Sequence, residues 1–522
     1  MSFWLLGWLA AAQELVLSGE VTAGSDHDFV AFEVPPGVAE LEVVLDDGSD
    51  DTILDWGLDG PSGHRGWGGG NSEPAILNEH AASRSYLPGP IRAGTWRVVI
   101  GKARLATDPA PYTITVDMRS EATLSPQHER QPYVPVAALR DEPGWYRGDL
   151  HVHSRESGDA RPDLDAIADK AREQGLDFVV VSDHNVVSQA DWILDAQARH
   201  PDVLLLPGIE VTTYGGHANA LGATTWVDHR IGQPGATVEA LGRAVEAQGA
   251  LLSINHPTLD LGGLCIGCAW RHAVPEEAVA IEVGNGGWEP VGKLFTPGAL
   301  AFWEDLAEDG RRLAAVGGSD DHKAGEDLGA FDSPIGVPTT WVHADALSHE
   351  AILAGIAAQR TMVALDGPSG PVVRWSTSGV EVDGMYTGDE QQLTLTVEGA
   401  ADEVHWVVDG EEVAVHSVEA ATLLVRPGDA PVRVRAEVWR DGRPTVLTSH
   451  RWLVAGDPGA PVADSEPRHA CSDDCDGTPC GCGVAGPQGA VGGLFLALSV
   501  GGVRRRSARA SRMVANGRAG TR

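Results

Sequence analysis

The stretch GDLHVHS, residues 148–154, decides how the rest of the chain is interpreted. It places His151 and His153 two positions apart, and side chains two apart in an extended strand project from the same face. Two imidazoles in that arrangement can bind one metal ion, although an exposed strand can also carry two histidines that have no role. Further polar motifs follow in chain order: SDHN at 182–185, GIE at 208–210, GGH at 215–217, INHP at 254–257 and GGSDDH at 317–322. Their recurrence predicts a shared polar site.

Strand-like and helix-like patterns alternate around these motifs, between residues 145 and 367. The segment 164–175, LDAIADKAREQG, has apolar residues at helical spacing and a glycine that can end the helix. The next segment, LDFVVVSDHN, has the apolar run of a strand that is buried on both faces. Repetition of this pair predicts a parallel α/β sheet, most economically a barrel, whose chemistry lies at the carboxyl ends of its strands. Because the motifs fall at those ends, we expect their side chains to meet in one pocket.

Two all-β segments flank this region. Residues 13–120 and 370–455 alternate apolar and polar residues with period two and are interrupted by turn sequences, so each predicts a β-sandwich. The N-terminal sandwich resembles the accessory jelly-roll modules of secreted bacterial hydrolases. It could bind carbohydrate or a surface through Trp56 and Trp67, but a packing role is favoured. The C-terminal sandwich is smaller and is interpreted as structural.

The two ends of the chain predict export. Residues 1–12, MSFWLLGWLAAA, have the apolar run and the small-residue cleavage pattern of a signal peptide. After a Cys-containing linker at 456–483, the uncharged segment 484–503 is long enough to cross a bilayer, and the basic tail 504–522 would stay cytoplasmic. This order resembles the MYXO-CTERM sorting tails of myxobacterial surface proteins. The resemblance implies attachment to the cell surface or outer membrane, with secretion after tail processing as the alternative.

The composition is strongly acidic, with a formal net charge of −36. A chain of this charge repels the phosphates of nucleic acids, so we expect no nucleic-acid partner. A small phosphorylated substrate is still compatible with the composition, because a bound divalent ion reverses the sign of the local charge.

The motifs hold more imidazoles and carboxylates than one metal ion can use. These groups suit Zn²⁺, or Mn²⁺ or Fe²⁺ where carboxylates are prominent, so we predict two or three divalent ions. Clustered ions lower the pKa of a bound water to about 7 and hold the attacking and leaving oxygens, so no separate protein nucleophile is needed. The candidate ligands are His151, His153, Asp159, His184, Glu210, His217, His256, Asp320 and His322.

Several neighbouring residues have weaker assignments. Arg155 and Lys323 could bind an anionic substrate group, although solvated surface charge is an equal alternative. Asp183 is interpreted as a partner that orients a histidine rather than as a ligand. His229 is interpreted as an ordinary surface or loop histidine. The pair Cys265–Cys268 predicts a loop disulfide in an exported chain, with metal binding or redox activity as alternatives.

The motifs HxH, SDH, GIE, NHP and GSDxH, in that order, resemble those of the PHP domain, named after polymerase and histidinol phosphatase. The fuller wording PGIEVTTYGGHANALG, residues 207–222, is similar to that of its CehA/McbA-type metallohydrolases. The resemblance covers about residues 145–367. It implies a distorted seven-stranded barrel that holds up to three ions.

The resemblance also implies how the ligands are shared. One ion would take His151, His153, Glu210 and Asp320; a second would share Glu210 and add His217 and His256; a third would take Asp159, His184 and His322. Asp320, His322 and Glu210 are the candidate catalytic residues.

One position departs from the family pattern. The family's HTxxSDG has its acid five residues after the second histidine, where this chain has Gly158. Asp159 comes one residue later and Glu156 is also near, so the resemblance leaves both open as the ligand of the third ion.

Two functions follow as hypotheses. The first is a metal-dependent hydrolase in which a metal-bound hydroxide attacks a phosphoester, or a carbamate or other ester, of a small molecule. Phosphoesterase activity leads because most of the wider superfamily has it. The alternative is a non-catalytic, surface glycan-binding protein with a structural metal site.

Overall fold

β-Strands dominate the structure, a computed structural model that describes residues 13–49, 51–329, 331–382 and 385–456. All of these residues fall in one compact unit. No helix within these ranges is long and apolar enough to span a membrane. The predicted signal peptide, apolar segment and basic tail, and all of the predicted linker after its first residue, lie outside the described residues.

The N-terminal region forms two four-stranded antiparallel sheets, β1-β8-β3-β6 and β2-β7-β4-β5. Period-two alternation turns one face of each sheet inward, and the two faces share an apolar core around Leu41, Trp56 and Trp96. We call this region the N-terminal sandwich. Its strands are β1 (Gln13–Val21), β2 (His27–Val34), β3 (Glu40–Asp46), β4 (Ile53–Gly60), β5 (Gly63–Gly69), β6 (Ala75–Asn78), β7 (Gly94–Arg104) and β8 (Ala110–Arg119).

The proposed carbohydrate contacts of this sandwich are buried. Trp56 is 1% exposed and Trp67 is 4% exposed. The indole nitrogen of Trp56 donates to the carbonyl of Asn71, 3.1 Å away. Neither ring can lie flat against a surface sugar, so carbohydrate binding through these two side chains is wrong. Their apolar area is more stable inside the core than in water.

The central region is a mixed sheet that we call the central sheet. Its order is β15-β14-β13-β12-β11-β10-β9-β16-β17. The strands are β9 (Gly144–Val152), β10 (Phe178–Val181), β11 (Leu204–Thr213), β12 (Gly216–Leu221), β13 (Leu251–Ile254), β14 (Ala278–Asn285), β15 (Ala314–Gly318), β16 (Thr339–Ala344) and β17 (Thr361–Ala364). The helices are α1 (Leu164–Gln174), α2 (Ala190–Arg199), α3 (Val238–Glu246), α4 (Lys293–Glu308) and α5 (His349–Ala357).

The prediction of a parallel sheet is confirmed only in part, because the sheet is mixed. β9, β10 and β11 are parallel, as are β13, β14 and β15, but β12 runs antiparallel to both of its neighbours. The reason is local: the glycines of TYGG allow a tight turn, so β11 and β12 form a hairpin without an intervening helix. β16 and β17 are also antiparallel to their neighbours.

Side chains join the two ends of the central sheet. The Thr340 hydroxyl accepts from the Gly317 amide at 2.7 Å, and the Thr361 hydroxyl donates to the Ala315 carbonyl at 2.8 Å. Leu150 of β9 and Val316 of β15 pack in the same apolar cluster. β15 therefore lies beside the opposite end of the sheet, which brings its polar carboxyl end next to that of β9.

The C-terminal region is less separate than the sequence predicts. A three-stranded sheet, β18-β21-β24, faces strands that continue the central sheet, because β26 pairs with β17. We call these strands the C-terminal sandwich. They are β18 (Val372–Thr377), β19 (Val380–Val382), β20 (Met385–Thr387), β21 (Gln391–Glu398), β22 (Glu403–Val408), β23 (Glu411–Ser417), β24 (Thr422–Val425), β25 (Val432–Arg440), β26 (Arg443–Thr448) and β27 (Arg451–Val454).

Candidate metal centre

The motif side chains converge because their strands end at one edge of the central sheet. Backbone hydrogen bonds hold the loops beyond that edge in register. The His153 amide donates to the carbonyl of Asp321 at 3.0 Å, and the Asp320 amide donates to the carbonyl of His151 at 2.9 Å. Gly318 permits this approach, because a Cβ there would lie 2.3 Å from the Cβ of His151. All nine candidate ligands lie in this cluster.

Glu210 lies at the centre of the cluster and is buried. Its Oε1 is 3.2 Å from Nε2 of His151, 3.2 Å from Nε2 of His256 and 3.3 Å from Nδ1 of His217. Its Oε2 faces the other way, 2.7 Å from Nδ1 of His184 and 3.6 Å from Nε2 of His153. One carboxylate therefore faces two groups of imidazoles.

Two further carboxylates complete the cluster. Oδ1 of Asp320 is 3.1 Å from Nε2 of His153 and 3.3 Å from Nε2 of His151. Oδ2 of Asp159 is 3.3 Å from Nε2 of His322 and 3.5 Å from Nε2 of His184.

The choice between Asp159 and Glu156 is decided by what each side chain contacts. Asp159 faces the two imidazoles of His184 and His322. Oε2 of Glu156 instead accepts from the amide of Ser85 in the N-terminal sandwich, at 2.9 Å. Asp159 is therefore the acid placed to bind a metal ion beside these histidines.

The arrangement fits divalent metal ions. Donors about 2.0–2.2 Å from a tetrahedral ion lie roughly 3.3–3.5 Å from one another, close to most separations found here. Nε2 of His217 is buried without a hydrogen-bond partner, which is costly unless another group satisfies it. Three sets of residues have ligand atoms that all lie within 4.8 Å of one another: His151, His153 and Asp320; His151, Glu210 and His256; and His153, His184 and His322.

Cys268 is not a ligand, although its sulfur lies near His217 and His256. The structure joins Cys268 to Cys265 in a disulfide, as the sequence predicts. A disulfide sulfur lacks the thiolate charge that metal binding uses. The carbonyl of Cys268 has a different role, because Nδ1 of His256 lies 3.2 Å from it.

Burial and charge set the protonation of the metal-free cluster. Burial disfavours the charged form of His151, but the carboxylates of Asp320 and Glu210 outweigh it and raise its pKa well above the ordinary value. Burial and the neighbouring imidazoles of His322 and His184 lower the pKa of His153 to about 3. Burial also disfavours the charged form of His322, but the carboxylate of Asp159 outweighs this effect and raises the pKa of His322 to about 9. Metal binding at this cluster must therefore displace protons.

Glu282 is a member of the site that sequence reasoning missed. Its Oε1 lies 2.8 Å from Nδ1 of His151, and its Oε2 accepts from the amide of His256 at 2.8 Å. It thus orients two candidate ligands from behind. The sequence did contain an indication of this role, because Glu282 is the single charged residue in the buried strand AVAIEVGN.

Asp183 has a different contact from the one predicted. It accepts from both the amide and the hydroxyl of Ser154, at 2.5 and 2.6 Å. It therefore holds the backbone next to His153 rather than a histidine ring. The hydroxyl of Thr212 lies 2.6 Å from Nδ1 of His184, where it orients that ring.

Comparisons with known proteins give weak likenesses. No family model matches the chain, and no curated protein matches it. A two-domain protein from Bacteroides vulgatus, with a predicted PHP-like metal-dependent phosphoesterase, is 20% identical over 62% of this chain and 98% of that chain, with a TM-score of 0.35. An amidohydrolase from Chromobacterium violaceum, solved with sulfate and no metal, is 17% identical over 36% of this chain and 93% of that chain, with a TM-score of 0.25.

The cluster opens into a cleft of about 640 Å³. The central sheet forms its floor, and the disulfide loop and Phe331 form one side. The N-terminal sandwich forms another side with Asp55, Trp67 and the glycines 68–70. The hydroxyl of Tyr214, in the β11–β12 turn, donates to Oδ2 of Asp55 at 2.7 Å and ties this side to the floor. Burial raises the pKa of Asp55 to about 6.

His229 also lines this cleft: it lies in a loop, as predicted, but it is buried rather than at the surface. It is 2% exposed and packs edge-on against Trp67 at 4.5 Å between ring centroids. The error arose because its neighbours come from the N-terminal sandwich, more than a hundred residues away in sequence.

The two predicted substrate-binding cations do not line the cleft. Arg155 lines a separate depression with Asp163 and Asp165. Nζ of Lys323 lies 2.5 Å from Oδ2 of Asp332, so its charge is already compensated. Proximity in sequence to a motif did not predict the contacts of these two side chains.

Proposed function

We propose that the chain is a metal-dependent hydrolase of the PHP superfamily, of the CehA/McbA type, with the central sheet as its distorted barrel. The observation that carries the proposal is the cluster of nine imidazoles and carboxylates, seven of which line one cleft, with Nε2 of His217 buried without a hydrogen-bond partner.

Zn²⁺, Mn²⁺ or Fe²⁺ ions, two or three in number, suit these donors. When bound, such ions lower the pKa of water and stabilise charge that develops on the substrate's oxygens. Glu210 is placed to join two sites, because each of its oxygens faces a different group of imidazoles. Glu282 and Thr212 hold the rings of His151 and His184 from behind, so little reorganisation is needed when a substrate binds.

We propose Asp320, His322 and Glu210 as the catalytic residues. All three line the cleft, where a substrate would be bound. Asp320 and Glu210 each contact both His151 and His153, so loss of either carboxylate would disturb more than one donor set.

The substrate we propose is a small molecule with a phosphoester bond, or a carbamate or other ester bond. The cleft has the volume of a typical small-molecule site. With Arg155 and Lys323 directed elsewhere, the charge of an anionic substrate would be met at the metal centre. The net charge of −36 disfavours nucleic acid as a partner.

We also propose that the protein is exported and held at the cell surface or outer membrane by its C-terminal tail. The proposal rests on the sequences of residues 1–12 and 456–522. The Cys265–Cys268 disulfide supports it, because such bonds persist in oxidising compartments.

The test combines metal analysis with a substrate panel. Purified protein is analysed for metals, stripped with chelator and reloaded separately with Zn²⁺, Mn²⁺ and Fe²⁺. Each form is assayed on p-nitrophenyl phosphate, bis-p-nitrophenyl phosphate, naphthyl acetate and a naphthyl carbamate. We expect metal-dependent hydrolysis of at least one ester. Full activity after metal removal, or no bound metal at all, would overturn the proposal.

A further inference from the structure

We propose that the N-terminal sandwich is part of the metal centre, because it holds the loop that carries Asp159 in place. This inference rests on the proposed function and concerns only the site formed by Asp159, His184 and His322. The loop, residues 154–160, is called the Asp159 loop. Glu156 and Arg84 are positioning residues in this proposal, since neither faces the cluster.

Glu156 anchors the Asp159 loop to the sandwich. Its side chain is buried. Oε2 accepts from the amide of Ser85 at 2.9 Å, and the Glu156 carbonyl accepts from the Ser85 hydroxyl at 2.8 Å. Breaking this hydrogen bond would leave the buried carboxylate of Glu156 without its partner, which costs a large amount of free energy. The loop is therefore held at a point three residues before Asp159.

Arg84 holds the loop at two further points. Its guanidinium donates to the carbonyls of Arg155 at 3.3 Å and Ala160 at 3.2 Å, on either side of Asp159. The same guanidinium is fixed from within the sandwich by Glu73, at 2.7 and 2.9 Å. Contacts before and after Asp159 restrict the backbone on both sides of the ligand.

The sandwich also explains why the acid is displaced by one residue. Gly158, which occupies the position of the acid in the family motif, has a φ of +92°, and a Cβ there would lie 2.6 Å from the carbonyl oxygen of Gly68. Any side chain at 158 would therefore collide with the sandwich. Position 158 therefore cannot supply a carboxylate, and Asp159, the next residue, faces His184 and His322.

The ligands carried by the central sheet do not depend on the sandwich in this way, whereas the hydroxyl of Ser157, in the Asp159 loop, lies 3.3 Å from Nδ1 of His153. His151, Glu210 and His256 lie in or directly after strands of the central sheet. Asp159 lies in an irregular loop and its side chain is 56% exposed, so its own packing restrains it little. Loosening the loop should therefore affect one metal ion and leave the others bound.

The experiment compares metal content across variants of the full chain. Glu156→Ala and Arg84→Ala should each lose about one ion per chain relative to wild type, with activity lower by about tenfold or more. Glu156→Gln, which keeps an acceptor for Ser85, should retain most of both. Arg97→Ala, an exposed arginine of β7, is the matched control and should bind metal like wild type. Circular dichroism checks that each variant is folded. If Glu156→Ala does not fold, Arg84→Ala tests the inference in its place.

A double variant distinguishes an effect on the position of Asp159 from a general disturbance of the cluster. Asp159→Asn should lose the same single ion, and adding Glu156→Ala should cause no further loss, because both changes act on one site. Unchanged metal content in Glu156→Ala and Arg84→Ala would overturn the inference, as would loss of every ion. A wild-type protein that binds two ions would overturn it while leaving the proposed hydrolase intact. A wild-type protein without bound metal would overturn the proposed function itself.

Discussion

The two β-sandwiches have similar sequence patterns but different relations to the metal centre. The N-terminal sandwich lines the cleft and contacts the loop of a candidate ligand. The C-terminal sandwich continues the central sheet through β17 and β26 and is tied to helix α4, where Glu304 faces Arg433, Arg435 and His450. What distinguishes them is the place at which each packs on the central sheet.

Loss of a central ligand should abolish metal binding and leave both sandwiches folded. His153→Ala removes an imidazole that lies between two donor sets, so we expect loss of bound metal and a fall in activity of about a thousandfold, or several kcal/mol of transition-state stabilisation. The N-terminal sandwich has its own apolar core, and the core of the C-terminal sandwich is shared with β16 and β17. His153 belongs to neither core, so we expect wild-type circular dichroism and an unfolding temperature close to that of the metal-free wild type. Elemental analysis and thermal unfolding check this. Retained activity would remove His153 from the site.

The C-terminal sandwich should affect stability without affecting chemistry. Glu304→Gln leaves the buried charges of Arg433 and Arg435 without their shared carboxylate, so we expect a loss of about 2 kcal/mol in the free energy of unfolding. Metal content and kcat/KM should stay at wild-type values. Urea unfolding gives the first quantity, and assays in the absence of urea give the others. A large fall in kcat/KM would show that the C-terminal sandwich also shapes the site.

The same contact predicts a pH dependence. Although burial opposes ionisation, hydrogen bonds and charge from His450 and Arg435 lower the pKa of Glu304 to about 2. A carboxylate whose pKa is lower in the folded than in the unfolded state stabilises the folded protein at pH values above its unfolded pKa. This stabilisation is lost as the pH falls through its folded pKa. The stability difference between wild type and Glu304→Gln should therefore persist above pH ~4.5 and shrink towards pH ~2. A difference that stays constant over this range would exclude Glu304 as its cause.

The smallest effect is expected where the N-terminal sandwich meets the cleft. Tyr214→Phe removes the donor to Asp55, which frees a carboxylate in the cleft wall, so we expect a change in KM of about tenfold, or about 1.4 kcal/mol. Metal content should not change, because neither residue is a candidate ligand. Steady-state kinetics on the best substrate of the panel checks this, and an unchanged KM would restrict the role of the sandwich to the Asp159 loop.

Local patterns predicted most of the elements and the members of the cluster. Helix α1 covers Leu164–Gln174 and ends before Gly175, as the spacing of its apolar residues indicates. The motifs at strand ends meet because adjacent parallel strands bring their carboxyl ends together. Glu282, the contact of Glu156 with Ser85 and the burial of His229 were missed, since each depends on a partner that lies tens of residues or more away in sequence.

By itself, the sequence determined the alternation of strands and helices, the two flanking all-β regions and the set of imidazoles and carboxylates, because hydrophobic periodicity and residue chemistry are local properties. Only the tertiary structure decided that Asp159 rather than Glu156 faces the cluster, that Arg155 and Lys323 do not line the cleft, and that one sandwich borders the metal centre while the other extends the sheet. Those outcomes depend on which surfaces pack together, and packing is settled by the shape and burial of the whole chain.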